Sequence, residues 1–217
     1  QKTYLRGQIN IFDHGKRNNI ALGTSTLDNN TLGKNNVAVG DSALFTNIKG
    51  KNNIGIGDKT LYFNTGDDNT SIGFQSMYKN TSGKQNTVLG SAALYTNTTG
   101  ENNTSFGFQS LNKNTTGNEN TSIGSAALVS NTTGSKNTVI GSEALTSNTT
   151  GNKNIAIGNL SIPTNTAGND NIGLGNKTLF DLTNGLSNIA IGTNAGNLIT
   201  TGDSNILIGN EANPSAN

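Results

Sequence analysis

The chain of 217 residues contains no cysteine, no tryptophan, one methionine, two prolines and one histidine. Without cysteine it has neither a disulfide framework nor a cysteine-based zinc site. Hydrophobic residues make up 31% and charged residues 12% of the chain, against roughly 45–50% and 25% in ordinary globular domains. A single compact core of the usual kind would therefore lack apolar side chains. The net charge of +1 is nevertheless far from the high net charge that accompanies intrinsic disorder.

Charge and hydropathy exclude two further classes of partner. Fourteen Lys and Arg residues stand against thirteen Asp and Glu, scattered singly, so the sequence predicts no basic stripe for nucleic acid. No apolar run approaches the roughly 18 residues of a membrane span, and we expect no membrane insertion. The first residue is Gln1, which is explained by removal of a secretory signal peptide or by a boundary placed within a longer chain. We expect a secreted protein, extracellular or at the cell surface.

Asn, Thr and Gly together supply 97 residues, or 45% of the chain, and they recur with a fixed period. Twelve boxes of the form Asn-x-x-apolar-Gly follow one another at a spacing of 17, except for one spacing of 16 between Gly57 and Gly73. A second glycine series interleaves with the first, and the missing residue falls between Gly57 and Gly66. A single deletion within a fixed period predicts a surface turn at that point. The box glycines are Gly23, Gly40, Gly57, Gly73, Gly90, Gly107, Gly124, Gly141, Gly158, Gly175, Gly192 and Gly209, and the second series runs from Gly33 and Gly50 to Gly202.

Each box has the alternation of a short β-strand. The residue three before the box glycine is always β-branched, the residue one before it is always apolar, and the residue between them is mostly Ala, Ser or Gly. A third apolar position follows four residues after the glycine, from Leu27 to Leu179. We expect these three apolar positions to point inward. Asn stands four residues before every box glycine, as Asn19, Asn36, Asn53, Asn69, Asn86, Asn103, Asn120, Asn137, Asn154, Asn171, Asn188 and Asn205.

These features predict an all-β fold, a parallel β-solenoid (β-roll) of about twelve 17-residue coils. Stacked Asn amides would bond along the rod as a structural ladder, and glycine would supply the positive φ that the corners require. Residues 1–18 form an N-terminal cap or extension, residues 19–209 the repeat domain, and residues 210–217 a C-terminal tail or truncated coil. Within the cap, residues 8–12 alternate like a strand that could cover the first coil.

Three inward apolar side chains per coil make a thin core. Small residues beside the strand, such as Ala38 and Ser122, would let another backbone approach. We therefore expect lateral association of identical chains, as a homotrimer, or an end-to-end filament; a monomeric solenoid is the alternative.

Several residue groups invite a chemical interpretation, and each also has a simpler one. His14 lies beside Asp13 with no partner set for catalysis or zinc binding, so we expect a structural or solvated role. Asp67 and Asp68 lack the spacing of a calcium loop, and we interpret them as a solvated corner. We expect no metal and no cofactor.

Two further groups concern surfaces. The aromatic residues suit local packing, a subunit interface, or a patch that stacks on a glycan or protein receptor; they are Phe45, Tyr62, Phe74, Tyr78, Tyr95 and Phe108. Adjacent Thr pairs such as Thr98-Thr99 align over four coils and suggest an ice-binding face. Neighbouring residues of a strand face opposite sides, however, which argues against a flat Thr array.

The run from Asn120 to Gly134, N-T-S-I-G-S-A-A-L-V-S-N-T-T-G, resembles the N-T-A-I-G repeats of bacterial surface and phage tail-fibre-like proteins. It is also similar to the head repeats of trimeric autotransporter adhesins, which form a left-handed parallel β-roll in a homotrimer. The resemblance covers residues 19–209 and implies an extracellular, trimeric, adhesive or fibrous segment. This chain departs from the adhesin heads in its longer period, and it shows no coiled-coil stalk, membrane anchor or chaperone domain.

The sequence therefore predicts a non-enzymatic extracellular fibre segment that associates with itself and displays surface loops. The alternative is an ice- or glycan-binding module that uses a repeated face of the solenoid. A β-helical polysaccharide-cleaving enzyme would need an acidic or Asp/Arg/Lys constellation that interrupts the repeat, and the sequence contains none.

Overall fold

The computed structural model describes residues 9–10 and 17–214, which form thirteen short strands in one sheet and no helix within those ranges. β1 contains two residues and every other strand contains three. The strands are β1 (Ile9–Asn10), β2 (Ile20–Leu22), β3 (Val37–Val39), β4 (Ile54–Ile56), β5 (Thr70–Ile72), β6 (Thr87–Leu89), β7 (Thr104–Phe106), β8 (Thr121–Ile123), β9 (Thr138–Ile140), β10 (Ile155–Ile157), β11 (Ile172–Leu174), β12 (Ile189–Ile191) and β13 (Ile206–Ile208).

Strands β2 to β13 are parallel, and each pairs with the strand one repeat away in perfect register, as in Thr121↔Thr138. The predicted parallel β-solenoid is thereby confirmed. The twelve parallel strands bound about eleven turns, which we number from the ladder Asn that begins each one, coil 1 starting at Asn19 and coil 7 at Asn120. With the usual spacing of about 4.8 Å between strands, the rod is about 55 Å long.

Strand β1 pairs antiparallel with β2, with Ile9 opposite Leu22. This confirms the predicted capping strand for Ile9–Asn10. The other residues of the 8–12 segment, together with Asp13 and His14, lie outside the described residues.

The orientation of the strand residues differs from the prediction. In β8 the middle residue Ser122 is fully buried, whereas Thr121 and Ile123 on either side are partly exposed, and the same alternation holds in β2 to β12. The small middle residue therefore points into its own coil and does not receive a neighbouring backbone. The expectation that three apolar positions per coil point inward is wrong for the two strand positions and right for the third. Leu128 and its equivalents are buried.

The interior of a coil is narrow because five side chains fill it. In coil 7 these are Asn120, Ser122, Ala127, Leu128 and Asn131, all of them 0% exposed. A single large apolar side chain thus packs against two small residues and two asparagines. The interior is as polar as it is apolar, so hydrogen bonds must satisfy the buried amides.

The two glycine series serve different purposes. The box glycines have φ between 125° and 147°, which L side chains rarely adopt, and a Cβ at Gly124 would overlap the carbonyl oxygen of Gly141 in the next coil. The second series is not left-handed, so positive φ is the wrong explanation there. A Cβ at Gly117 would overlap the Gly134 oxygen and the Asn114 Oδ1 atom, and close stacking of coils is what excludes a side chain.

Hydrogen-bond register locates the missing residue. The Asn64 Nδ2 group still donates to Asn47 Oδ1, 17 residues earlier, but it reaches the oxygen of Gly66 two residues ahead, where other coils span three. In the other coils two residues separate the equivalent Asn from the second-series glycine. In this coil Thr65 alone separates Asn64 from Gly66. The predicted surface turn is confirmed, since Thr65 is partly exposed between the buried Asn64 and Gly66.

Candidate interaction surfaces

The outer side of the parallel sheet carries two columns of side chains along the whole rod, which we call the sheet face. One column is formed by the residues one before each box glycine and is entirely apolar, from Leu22 to Ile208; the other is β-branched, from Ile20 to Ile206. The second column holds Thr in the five strands β5 to β9 and Ile or Val in the other seven. Neither column contains a charged residue.

Much of this apolar surface is open to solvent in the single chain. Leu89 is 50% exposed and Ile20 is 50% exposed. The face extends about 55 Å along the rod and about 10 Å across three residues, or roughly 500 Å² in projection. Continuous apolar patches of this size mark interaction sites on soluble proteins.

The predicted Asn ladder runs through the interior, on the opposite side of the backbone from this face. Asn120 donates from Nδ2 to Asn103 Oδ1 at 3.1 Å and to the Gly134 oxygen at 2.9 Å. Its own Oδ1 accepts from the backbone N–H and the Nδ2 of Asn137 at 3.0 and 3.1 Å. Both donors and both acceptor sites of the amide are used. This pattern continues from Asn19 to Asn205, and we call it the first Asn ladder.

A second Asn ladder was not predicted as such. It lies three residues before the second-series glycines, or two before Gly66 in the shortened coil. After Asn30, each Nδ2 donates to the Oδ1 of the preceding coil and to the glycine oxygen of its own coil, as Asn131 does to Asn114 and Gly134. The signal was present in the sequence, since Asn fills this position from Asn30 to Asn165 before Leu182 and Ile199 replace it. The ladder comprises Asn30, Asn47, Asn64, Asn80, Asn97, Asn114, Asn131, Asn148 and Asn165.

Four of the six aromatic residues singled out in the sequence form one stack on the surface, which we call the aromatic ladder. The ring centroids of Phe45, Tyr62, Tyr78 and Tyr95 are separated by 5.0, 5.2 and 5.3 Å in succession. Phe63, which sequence reasoning passed over, meets Tyr62 edge-on at 4.7 Å. The ring faces are thus turned toward each other along the rod, and their edges are what the ladder offers to a partner.

The other two aromatics lie elsewhere. Phe74 and Phe108 each follow a box glycine directly, and they are 50% and 55% exposed. They stand two residues beyond Ile72 and Phe106 of the sheet face, so they flank that face and do not belong to the aromatic ladder.

The Thr pairs do not form a flat array. Thr132 donates its hydroxyl to the Thr149 oxygen of the next coil at 3.0 Å, and Thr115 does the same to Thr132 at 2.9 Å. The second member of each pair, such as Thr133, is exposed. The two hydroxyls of a pair therefore face different surroundings, one engaged with backbone and the other in solvent.

The potential metal ligands do not cluster in the part of the chain that the structure describes. No three His, Cys, Asp or Glu residues come together there as a metal site, and Asp67 instead accepts the backbone N–H of Lys51 at 2.9 Å. Nor do these residues include a helix long and apolar enough to cross a bilayer.

Comparisons with protein-family models, with curated proteins and with solved structures found no match for this chain. The repeat and the strand pairing together establish a β-solenoid repeat protein whose coils stack in parallel register.

Proposed function

We propose that the chain is a non-enzymatic structural or adhesive segment of an extracellular fibre, resembling the tail-fibre and adhesin-head repeats, in which copies of the chain associate laterally through the sheet face. The observation that carries the proposal is the sheet face itself. Of its 24 positions, 19 are Ile, Leu, Val or Phe and five are Thr. Because every coil presents the same two side chains, a second copy laid alongside meets an apolar column over its full length.

The occupant is a copy of the same chain because the two surfaces match in length and in repeat. A rod with a constant coil spacing is complementary to another rod of the same spacing, and apolar contacts repeat at each coil. Closing three such faces around one axis makes a homotrimer, which covers all of them; end-to-end stacking would extend the rod as a filament. Backbone ladders and the two Asn ladders stiffen the rod, which suits a spacer that presents its turns to a receptor.

The test uses charge on the sheet face. Ile123→Lys with Ile140→Lys places two cations in the apolar column without altering the coil interior. The matched control is Thr116→Lys with Thr133→Lys, on an exposed column where the chain already carries Lys49. Light scattering coupled to size-exclusion chromatography measures the mass against the 22.4 kDa of one chain.

We expect a multiple of the chain mass for the natural protein and for the Thr variant, and dissociation of the Ile variant with its far-UV β signal intact. A natural protein of single-chain mass at high concentration would refute lateral association. Equal masses for the two double variants would show that copies meet through another surface.

A second candidate is an ice-binding face on the same sheet. It is favoured by the uninterrupted column Thr70, Thr87, Thr104, Thr121 and Thr138, whose side chains point outward at one-coil spacing. Thermal hysteresis that falls on Thr104→Lys would support this function, and its absence from the natural protein would remove it.

A further inference from the structure

A groove crosses coils 1 to 4 beside the second glycine series, and it has a volume of about 490 Å³. Its walls are the residues immediately before and after those glycines, so the glycines separate the two walls. We call it the lysine groove, and it is lined by Leu32, Lys34, Lys49, Lys51, Thr65, Asp67, Ser82 and Lys84.

The shortened coil explains why the groove lies where it does. Thr65 stands alone where coil 2 has Ile48 and Lys49 and where coil 4 has Thr81 and Ser82. One wall therefore loses a residue in coil 3, between two coils whose turns keep their full length. The single deletion in an otherwise regular repeat opens the wall at this point.

The deletion also leaves a backbone donor without a partner. In coil 1 the N–H groups of Thr31 and Leu32 both donate to the oxygen of Ile48, at 3.1 and 2.8 Å. In coil 4 the equivalent N–H groups of residues 81 and 82 donate to the oxygen of Thr98, at 3.0 and 2.9 Å. The corresponding N–H groups of Ile48 and Lys49, on the exposed turn beside the shortened coil, make no hydrogen bond to any described residue. The equivalents of Ile48 in the other coils up to Thr183 all donate, so the loss at Ile48 belongs to the shortened coil, whereas the Lys49 position also lacks a partner at Ala167 and Asn184 in full-length coils.

The charge at the groove is strongly positive for so neutral a chain. Four lysines and one aspartate line it, a net charge of +3, while the whole chain carries +1. The ion pair between Lys59 and Asp58 is the one found among the described residues, so none of the four lysines is neutralised by a carboxylate in that region. The Asp67 carboxylate is engaged with the Lys51 backbone.

We propose that the lysine groove binds the sulfate or carboxylate groups of an acidic polysaccharide. Ammonium groups and free backbone N–H donors are what such oxyanions accept hydrogen bonds from. The lysines are distributed over four stacked coils, or about 15 Å along the rod, so they suit charges carried in series on an extended chain. The inference is independent of lateral association, since none of the lining residues belongs to the sheet face.

Nucleic acid is the less suitable polyanion. Duplex DNA needs a basic stripe that tracks many phosphates, whereas the wall beyond the groove continues with Glu101 and then neutral residues such as Asn118 and Ser135. The positive surface therefore ends within a few coils.

Three variants distinguish binding in the lysine groove from attraction by lysines elsewhere on the chain. Lys49→Ser with Lys51→Ser removes two of the four lysines, on columns where the chain already accepts Ser82 and Ser135. The matched control, Lys136→Ser with Lys153→Ser, removes two exposed lysines from distant coils, on a column that holds Ser187 and Ser204 with the same left-handed backbone. The third variant inserts one Thr after Thr65, which restores a 17-residue coil and keeps every lysine.

Binding is measured by calorimetry with a sulfated oligosaccharide, an alginate oligosaccharide, a neutral dextran, single-stranded DNA and inorganic sulfate, each at two salt concentrations. We expect salt-sensitive binding of the two acidic oligosaccharides alone. In the groove variant, loss of two charged contacts should weaken oligosaccharide binding about tenfold. Binding by the distant control should be unchanged. Binding by the insertion variant should be weakened at least as much as in the groove variant. Thermal unfolding by circular dichroism verifies the fold of each variant.

The proposal is overturned if neither acidic oligosaccharide binds, or if the distant control loses as much affinity as the groove variant. Unchanged binding by a folded insertion variant would also overturn it, because the groove would then be irrelevant. Equal affinity for DNA, or displacement of the oligosaccharide by inorganic sulfate at the same concentration, would reassign the site to polyanions in general or to a free anion. If the insertion variant does not fold, the comparison of the two Lys variants decides.

Discussion

Replacing one amide of the first Asn ladder by a carboxylate tests whether these buried hydrogen bonds hold the coils together. Asn120→Asp preserves shape and volume but removes both Nδ2 hydrogens. In the natural chain those hydrogens reach Asn103 Oδ1 and the Gly134 oxygen. After the change, a carboxylate oxygen faces two acceptors in a site that is 0% exposed.

The expected magnitude depends on pH. Protonated, the new carboxyl retains one donor, so the variant loses one buried hydrogen bond, about 1 kcal/mol. Burial without a cation raises its pKa well above the value of about 3.9 in the unfolded chain. If its pKa is higher by three or more in the folded protein, ionisation at pH 7 costs the folded variant about another 4 kcal/mol. The free energy of unfolding is then lower by about 5 kcal/mol in total. The variant is therefore most stable below about pH 4. Its free energy of unfolding falls as the pH rises through the pKa that the buried carboxyl has in the folded protein.

Chemical denaturation followed by far-UV circular dichroism, at one protein concentration and at pH 4, 5.5 and 7, measures the difference. The matched control is Asn118→Asp, in a partly exposed position where Asn118 Oδ1 accepts the Glu101 backbone N–H at 2.7 Å. Carboxylates already fill this role elsewhere, since Asp203 accepts from the Leu186 N–H at 2.7 Å. We expect the control to stay within about 0.5 kcal/mol of the natural protein.

Equal stabilities for the two Asp variants at pH 7 would refute the reasoning. So would a loss at Asn120 that is the same at pH 4 and pH 7, because a buried carboxylate must respond to its protonation.

Two further substitutions probe backbone stacking and the aromatic ladder. Gly124→Ala should cost about 3 kcal/mol or more, because strain at a φ of 137° adds to overlap with the next coil. Gly55→Ala, at a column that holds Ala38, should cost far less in the same unfolding assay, because the new Cβ would press only on the Thr60 Cγ2 methyl, at 3.2 Å. A comparable cost at both glycines would contradict the stacking explanation. Tyr78→Leu interrupts two ring stacks, with centroid distances of 5.2 and 5.3 Å. It should lower the free energy of unfolding by about 1–2 kcal/mol and reduce the near-UV circular dichroism signal. An unchanged signal would show that the rings are not ordered as a ladder in solution.

The period, the strands and the first Asn ladder could be predicted because each depends on local chemistry repeated twelve times. A box such as Asn120–Gly124 combines a β-branched residue, an apolar residue and a glycine that needs a special backbone. Repetition then fixes the register, since like positions stack on like. Even the deletion could be confined to a turn, although only the hydrogen bonds of Asn64 place it at Thr65.

Which side of the strand faces inward could not be predicted by hydrophobicity. A three-residue strand alternates between two sides, and hydrophobicity alone favours the larger apolar side chains for the interior. In coil 7 the interior is already filled by Leu128 and two asparagines, and in coil 10 the middle position is crowded even around a glycine. A Cβ at Gly173 would lie 2.5 Å from Thr178 Oγ1 and 2.6 Å from Ser161 Oγ. Most inward-pointing strand residues are therefore small, Val88 and Val139 being the largest that are fully buried there, and the small middle residues are the signal in the sequence.

The candidate sites depended on distances between coils that a linear sequence does not display. Phe45, Tyr62, Tyr78 and Tyr95 occupy the same position in successive coils and therefore stack, whereas Phe74 and Phe108 occupy a different one. The lysine groove requires both the deletion and lysines on two columns in adjacent coils. Scattered singly along the chain, those lysines gave no sign of a basic surface.

The two Asn ladders also give the rod an electrical direction. Each ladder amide donates toward the preceding coil and accepts from the following one, whereas the backbone bonds run in both directions, as Ile20 N donates forward to Asn36 and Gly40 N donates back to Leu22. Twelve amides in one ladder and nine in the other, each of about 3.5 D, add up to at most about 70 D along the axis. Chains that associate side by side in the same direction would sum these moments, and antiparallel chains would cancel them. Electric birefringence in low salt would therefore reveal how the copies in a fibre are oriented relative to one another.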